Sequence, residues 1–150
     1  MKIVVQRVKE SSVSIDGQMN GQIGKGFMVL VGFCASDTQE IVDKMVDKMI
    51  HLRVFEDQDG KMNLSLQDVN GSILSISQFT LYADCRKGRR PSFIDAAKPD
   101  IAIPLYEYFN KKIKELGIHI ETGVFGADMK VSLINDGPVT IILDSSDICH

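Results

Sequence analysis

Two short segments hold residues whose types and spacing could do chemistry. The first is Ser77-Gln78-Phe79-Thr80-Leu81, followed closely by Arg86-Lys87-Gly88-Arg89-Arg90. Three of the chain's five arginines fall within the latter run, and taking its +4 out of the net −3 leaves −7 on the remainder. Guanidinium forks match phosphate oxygens, so the run reads either as a phosphate-gripping loop or as an ordinary solvated one. The second segment is Asn135-Asp136-Gly137-Pro138-Val139-Thr140. A proline between two apolar runs removes a ladder donor and belongs at a turn, bulge or edge. Gly-Pro is also a dipeptide in which a cis peptide bond costs little. A plain structural turn accounts for the spacing equally well.

Other chemistries lack support in the pattern. Gly21-Gln22-Ile23-Gly24-Lys25-Gly26 has neither the glycine spacing nor the Ser or Thr after Lys of a phosphate loop. No G-x-S-x-G elbow occurs, and the acidic turn Glu56–Gly60 lacks the ligand spacing of a calcium loop. Cys34, Cys85 and Cys149 form no C-x-x-C pair, and His51, His119 and His150 are scattered, so neither a disulfide framework nor a zinc site is expected. Cys34 reads as a small buried hydrophobe. Arg86-Lys87 could activate Cys85, but no histidine is near in sequence to act as its base. No metal and no cofactor is expected.

These segments must be positioned by a scaffold of 150 residues, 44% hydrophobic and 25% charged, the balance of one soluble globular domain over 1–150. An acidic chain excludes binding nucleic acid through bulk positive charge. No apolar run approaches the roughly 20 residues of a membrane helix. The opening residues lack an apolar h-region and a small-residue cleavage site, so a cytoplasmic protein without a membrane partner is expected.

Lys2–Ile15 reads as a strand turning at Asp16-Gly17 into a return strand over Met19–Ile23. Phe27–Phe33 is a continuous apolar run suited to a buried strand. Asp37 with Glu40 three positions on predicts an N-cap and a helix over about 38–51, with its methionines in the core. Arg53–Phe55 and Ser72–Ser77 read as further strands. A second helix should present Ile101, Leu105, Tyr108, Phe109, Ile113 and Leu116 on one face, with Pro104 in its first turn and Gly117 as its stop. Lys111, Lys112 and Lys114 near its end favour the helix dipole. Met129–Asn135 and Val139–Leu143 read as two strands parted by Asp136-Gly137-Pro138. The elements predict an α/β or α+β domain.

Taken together, SQFTL at 77–81, RKGRRPSF at 86–93, TGVFGADMKVSL at 122–133 and NDGPVT at 135–140 resemble the D-aminoacyl-tRNA deacylases, also called D-tyrosyl-tRNA deacylases. MKIVVQRV at the start and NLSLQDVNG at 63–71 extend the likeness to nearly the whole chain. Each motif is short, but all of them in this order are specific. The resemblance implies a layered β/β/α domain with mixed sheets and two main helices. It also implies a homodimer with active sites at the subunit interface, and hydrolysis of the ester of D-aminoacyl-tRNA, or of glycine mischarged on tRNA-Ala.

The resemblance further assigns roles. Ser77, Gln78, Phe79 and Thr80 map onto the catalytic strand end. Gly137-Pro138 becomes a cis-proline chiral selector that reaches into the partner subunit's pocket and rejects L-amino acids. Phe125, Gly126, Ala127 and Met129 line the adenosine end, and Arg86, Lys87, Arg89 and Arg90 contact tRNA phosphates. Arg7 either braces the Gly-Pro turn or is a surface arginine on an edge strand. A non-catalytic nucleic-acid-binding module and a plain metabolic esterase are the alternatives from other classes.

Overall fold

The computed structural model describes residues 1–149; His150 lies outside the described residues. Its centre is a long strand, β1 (Lys2–Ile15), whose burial alternates residue by residue over its first half. Ile3, Val5 and Arg7 therefore share one face and Gln6 takes the other. Asp16 and Gly17 both have positive φ, 52° and 77°, and turn the chain into β2 (Gln18–Ile23) as the Asp-Gly signal predicts.

The apolar run forms β3 (Gly26–Gly32), buried almost throughout. It pairs antiparallel with Lys2–Val8 of β1, while β2 pairs with Ser11–Ile15. Next come α1 (Gln39–Ile50), the short hairpin β4 (Phe55–Glu56) and β5 (Met62–Leu64), and β6 (Ser72–Ser77), parallel to β3. After α2 (Pro99–Glu115), β7 (Ile120–Thr122) adds parallel to β6. Finally β8 (Lys130–Asp144) runs antiparallel along the other edge of β1, and α3 (Ser145–Ile148) follows. Asn20 Nδ2 donates to Thr122 O at 2.7 Å, drawing β2 towards β7 so that the mixed sheet nearly closes.

The main core lies between one sheet face and the two long helices. Ile3, Val5, Phe27, Val29 and Ile73 meet Met45, Val46, Met49, Leu105 and Phe109 there. A smaller cluster of Val8, Val13, Ile23, Met28, Leu74 and Ile76 occupies the opposite face, with Met129, Val131 and Leu133 packed against it.

Several expectations are corrected. Thr38, not Asp37, caps α1: its Oγ1 accepts the Ile41 N–H at 3.3 Å. Asp37 is occupied elsewhere, its buried carboxylate accepting from the Met1 ammonium at 2.7 Å and the Cys34 N–H at 2.8 Å. Pro104 is in the interior of α2, because Pro99 already takes the first helical position. The bond Pro104 forfeits would have gone to the Asp100 carbonyl, and both residues are exposed, so water can serve that group. The buried face of α2 is Ala102, Leu105, Tyr106, Phe109 and Ile113, which leaves Ile101 and Leu116 at its exposed margins. The strand expected at Arg53–Phe55 shortens to Phe55–Glu56, and Cys34 is half-buried rather than core. β7, only three residues long, carried no periodicity signal.

The two strands expected at the C-terminal end form one strand with an interruption. Gln6 pairs with Thr140 and Val8 with Asn135, so residues 136–139 bulge out opposite the single residue Arg7. β1 is thus an interior strand, and Arg7 is buried at 6% exposure rather than lying on an edge.

Candidate active site

β6 ends at Ser77, and Gln78 leads into a 3₁₀ turn over Phe79–Tyr82. The Gln78 N–H is anchored to Val31 O at 2.8 Å, fixing the strand end to β3. The first N–H groups of a helical turn have no partner within it, and Phe79 opens this one. Gln78 Nε2 donates to Thr80 Oγ1 at 2.6 Å, which leaves its second amide hydrogen free to serve another acceptor.

Facing this strand end is the loop between β7 and β8. Gly123 N–H bonds to Ser75 O at 3.1 Å, and Ala127 N–H closes a turn on Val124 O. A side chain at Gly123 would run into the Met129 sulfur, so the small residue lets Met129 pack inward. Tyr106 of α2 donates to Ser75 O at 2.7 Å and lies 6.3 Å from the Phe125 ring, setting that side chain from below. Burial is the main reason the Tyr106 phenol is pushed above its ordinary pKa, so it stays protonated as a donor.

Between these two elements is a cavity of about 500 Å³. Ser77, Gln78 and Phe79 line it together with Phe125, Gly126, Ala127 and Met129. Thr80 is exposed beside it, held to Gln78. Gln6, Met28 and Leu30 also line it, residues that the sequence pattern did not single out for the site. A slightly larger hollow near Lys9 and Gln22 contains none of the expected site residues.

Gly137 and Pro138 stand apart from this cavity. They are exposed at the crest of the β8 bulge, joined by a cis peptide bond. Two side chains hold the bulge. Arg7 Nε donates to Asp136 O at 2.8 Å, and its Nη1 donates to Val54 O at 2.6 Å, tying the bulge to the core. Asn135 works from within: its Oδ1 accepts the Val139 N–H at 2.7 Å, and its Nδ2 donates to Thr140 Oγ1 at 2.9 Å. The same Nδ2 donates to Gln6 Oε1 at 3.2 Å, linking bulge and cavity wall. Of this bracing the sequence suggested only Arg7.

The basic run forms an exposed loop. Its neck is closed by paired backbone bonds between Asp84 and Ser92, at 2.8 and 2.9 Å. Arg86 forks onto the Asp84 carboxylate through Nε and Nη2, at 2.9 and 2.8 Å. That guanidinium, then the Arg86 backbone N–H, holds the Asp84 carboxyl below its ordinary pKa. Among the described residues, Lys87, Arg89 and Arg90 make no side-chain hydrogen bond or ion pair in the chain. Cys85 is exposed in the same loop. Among the described residues, no cluster of three or more His, Cys, Asp or Glu side chains is placed to hold a metal ion. Among the described residues, no helix is long and apolar enough to cross a membrane.

Known proteins are similar to this chain in sequence and in fold. A curated D-aminoacyl-tRNA deacylase of Thermus aquaticus is 60% identical over 147 residues, covering 98% of this chain and 97% of its own. One from Bacillus pumilus (strain SAFR-032) is likewise 60% identical, covering 98% of this chain and all of its own. Among solved structures, a c-Myc DNA unwinding element binding protein superposes with a TM-score of 0.90 at 42% identity, covering 96% of this chain and 98% of its own. A probable eukaryotic D-amino acid tRNA deacylase shares the fold, with a TM-score of 0.83 at 18% identity over 95% of this chain and 97% of its own. The model of the D-Tyr-tRNA(Tyr) deacylase family matches residues 4–144, and the chain belongs to that family.

Proposed function

We propose that the chain hydrolyses the ester linking a D-amino acid, or glycine mischarged on tRNA-Ala, to the terminal adenosine of tRNA. The observation that carries this reading is the cavity in which the strand end Ser77–Phe79 faces the loop 125–129. An aminoacyl ester is already reactive, so the protein needs chiefly to hold it and stabilise the developing oxyanion. The Phe79 N–H and the free hydrogen of the Gln78 amide supply fixed donors for that charge, an effect typically worth about 2.7–4 kcal/mol per donor. Water attacks the carbonyl carbon, assisted by the RNA's own 2′-hydroxyl. The bond to the ribose oxygen breaks, and that oxygen takes up a proton as the amino acid leaves.

Thr80 acts as a neighbour of the site in this reading. Its hydroxyl accepts from an amide, which cannot remove its proton, and a covalent nucleophile needs a base within reach. Phe125, Gly126, Ala127 and Met129 receive the adenosine end.

Gly137-Pro138 selects chirality. The pair is exposed and does not line the cavity of its own chain, which suits insertion into the pocket of a second copy. There its backbone carbonyls hold the substrate amino group so that only a hydrogen fits where an L side chain would project. Selection by backbone explains tolerance of many D side chains alongside rejection of L. Lys87, Arg89 and Arg90 grip tRNA phosphates, with Arg86 serving mainly the loop's neck.

A binding role without hydrolysis is the second reading, favoured by the name of the DNA unwinding element binding protein whose fold this chain shares. Single-turnover release of D-tyrosine and L-tyrosine from charged tRNA separates the two. Rapid release of D-tyrosine alone supports the deacylase. Binding without release supports the module, and equal release of both enantiomers removes the selector.

A further inference from the structure

The exposed aromatic residues beside the cavity have no packing role that accounts for them. Phe79 is 52% exposed and Phe93 40%, and their ring centroids are 5.1 Å apart at an interplanar angle of 71°. In such an edge-to-face pair the edge of one ring covers only a single face of the other, so faces remain for a third flat group. Phe79 lines the cavity. Phe93 directly follows Ser92, the residue that closes the neck of the basic loop on Asp84. The pair therefore bridges the cavity, where an ester would be held, and the loop carrying Lys87, Arg89 and Arg90.

A single strand of nucleic acid offers what this arrangement lacks: phosphates for the cations and flat bases for the rings. Resting on the proposed reading above, we propose that Phe93, paired with Phe79, is a stacking platform for an unpaired nucleobase just upstream of the terminal adenosine of tRNA. The platform sets the strand's path from the basic loop into the cavity. It is sequence-tolerant, because every base has a π-face, and it adds affinity for the nucleic acid without touching the reacting ester.

The test compares two substrates and one RNA. D-tyrosyl-tRNA carries the upstream nucleotides, and the D-tyrosyl ester of adenosine does not. Phe93→Ala should raise KM for D-tyrosyl-tRNA by about five- to a hundredfold, the weight of one stacked base, with kcat unchanged. The adenosine ester should be hydrolysed as by the parent chain, and Phe93→Trp should restore KM. A hairpin RNA with an unpaired 3′ tail should bind Phe93→Ala more weakly by the same factor, while the blunt hairpin binds both chains alike.

Equal losses on both substrates, or none on either, would overturn the platform. So would Phe93→Ala altering the sedimentation of the free protein, which would assign the aromatic pair to contact between copies of the chain. If the parent chain released no D-tyrosine at all, the hydrolytic reading would fail, and the tailed and blunt hairpins would still decide whether Phe93 stacks a base.

Discussion

Replacing Gly137 with alanine puts the bulge to its sharpest test. Gly137 sits at φ +143°, a region that side chains rarely adopt, and occupying it costs about 1–3 kcal/mol. A Cβ there would lie 2.8 Å from Val139 Cγ2 and 3.1 Å from Arg7 Nη2, both closer than ordinary contact. The guanidinium cannot retreat without giving up its bonds to Asp136 O and Val54 O. Val139 is itself fixed through its N–H on Asn135. Strain and overlap together oppose the native loop by about 2–4 kcal/mol, or roughly thirtyfold or more in its closed-to-open ratio. Because Gly137 and Pro138 are exposed, most of the loss falls on the loop, and only the part passed on through Arg7 and Val139 reaches the core. Single-turnover release of D- and L-tyrosine from charged tRNA should show the L rate rising, with thermal unfolding only slightly lowered. Hydrogen exchange at the Val139 amide should accelerate in parallel. A variant with the parent D-to-L ratio and a protected Val139 amide would refute the reasoning.

Three further outcomes follow from the same geometry. Thr80→Val should leave single-turnover deacylation within a few-fold of the parent, since the hydroxyl only accepts from Gln78; complete loss would make Thr80 the nucleophile. Neutralising Lys87, Arg89 and Arg90 together should reduce the salt dependence of tRNA binding by about 2–3 in log–log slope, whereas Arg86→Gln should change it by less than about 1; an unchanged slope in the triple variant removes the phosphate grip. The Asp84 carboxyl, held low by Arg86, favours the closed neck above its ordinary pKa of about 3.9 and loses that contribution as pH falls through its lower folded value. NMR titration should therefore show Asp84 protonating, and Arg86 coming free, only below about pH 3.9; a midpoint above it would contradict the fork.

The dependence of the bulge on Arg7 shows why a buried charge is retained in a small core. Removing it would leave two carbonyls without their donor, and hydrogen bonds from a charged group are typically worth about 1.5–3 kcal/mol each. The residue thus couples the position of Gly137-Pro138 to the packing around Val54, on a segment remote in sequence.

The sequence by itself determined what is encoded within a few neighbouring residues. Asp16-Gly17 specified its hairpin, the helical spacing of Ile41, Val42, Met45, Met49 and Leu52 specified α1, and Gly117 specified the end of α2. The concentration of charge at 86–90 was equally plain, and the motifs pointed to the family. Nearby caps competed less legibly, which is why Asp37, drawn to the Met1 ammonium, yielded its expected place to Thr38. Only the tertiary structure decided which distant residues meet. It brought Gln6 and the 125–129 loop to the strand end at Ser77–Phe79, set Arg7 under a bulge 129 positions away, and spent Arg86 on Asp84. Turn chemistry and periodicity act through local sterics and hydrogen bonds, so short windows carry them; pairing of β1 with β8 depends on which faces can be buried together, and no short window contains both strands.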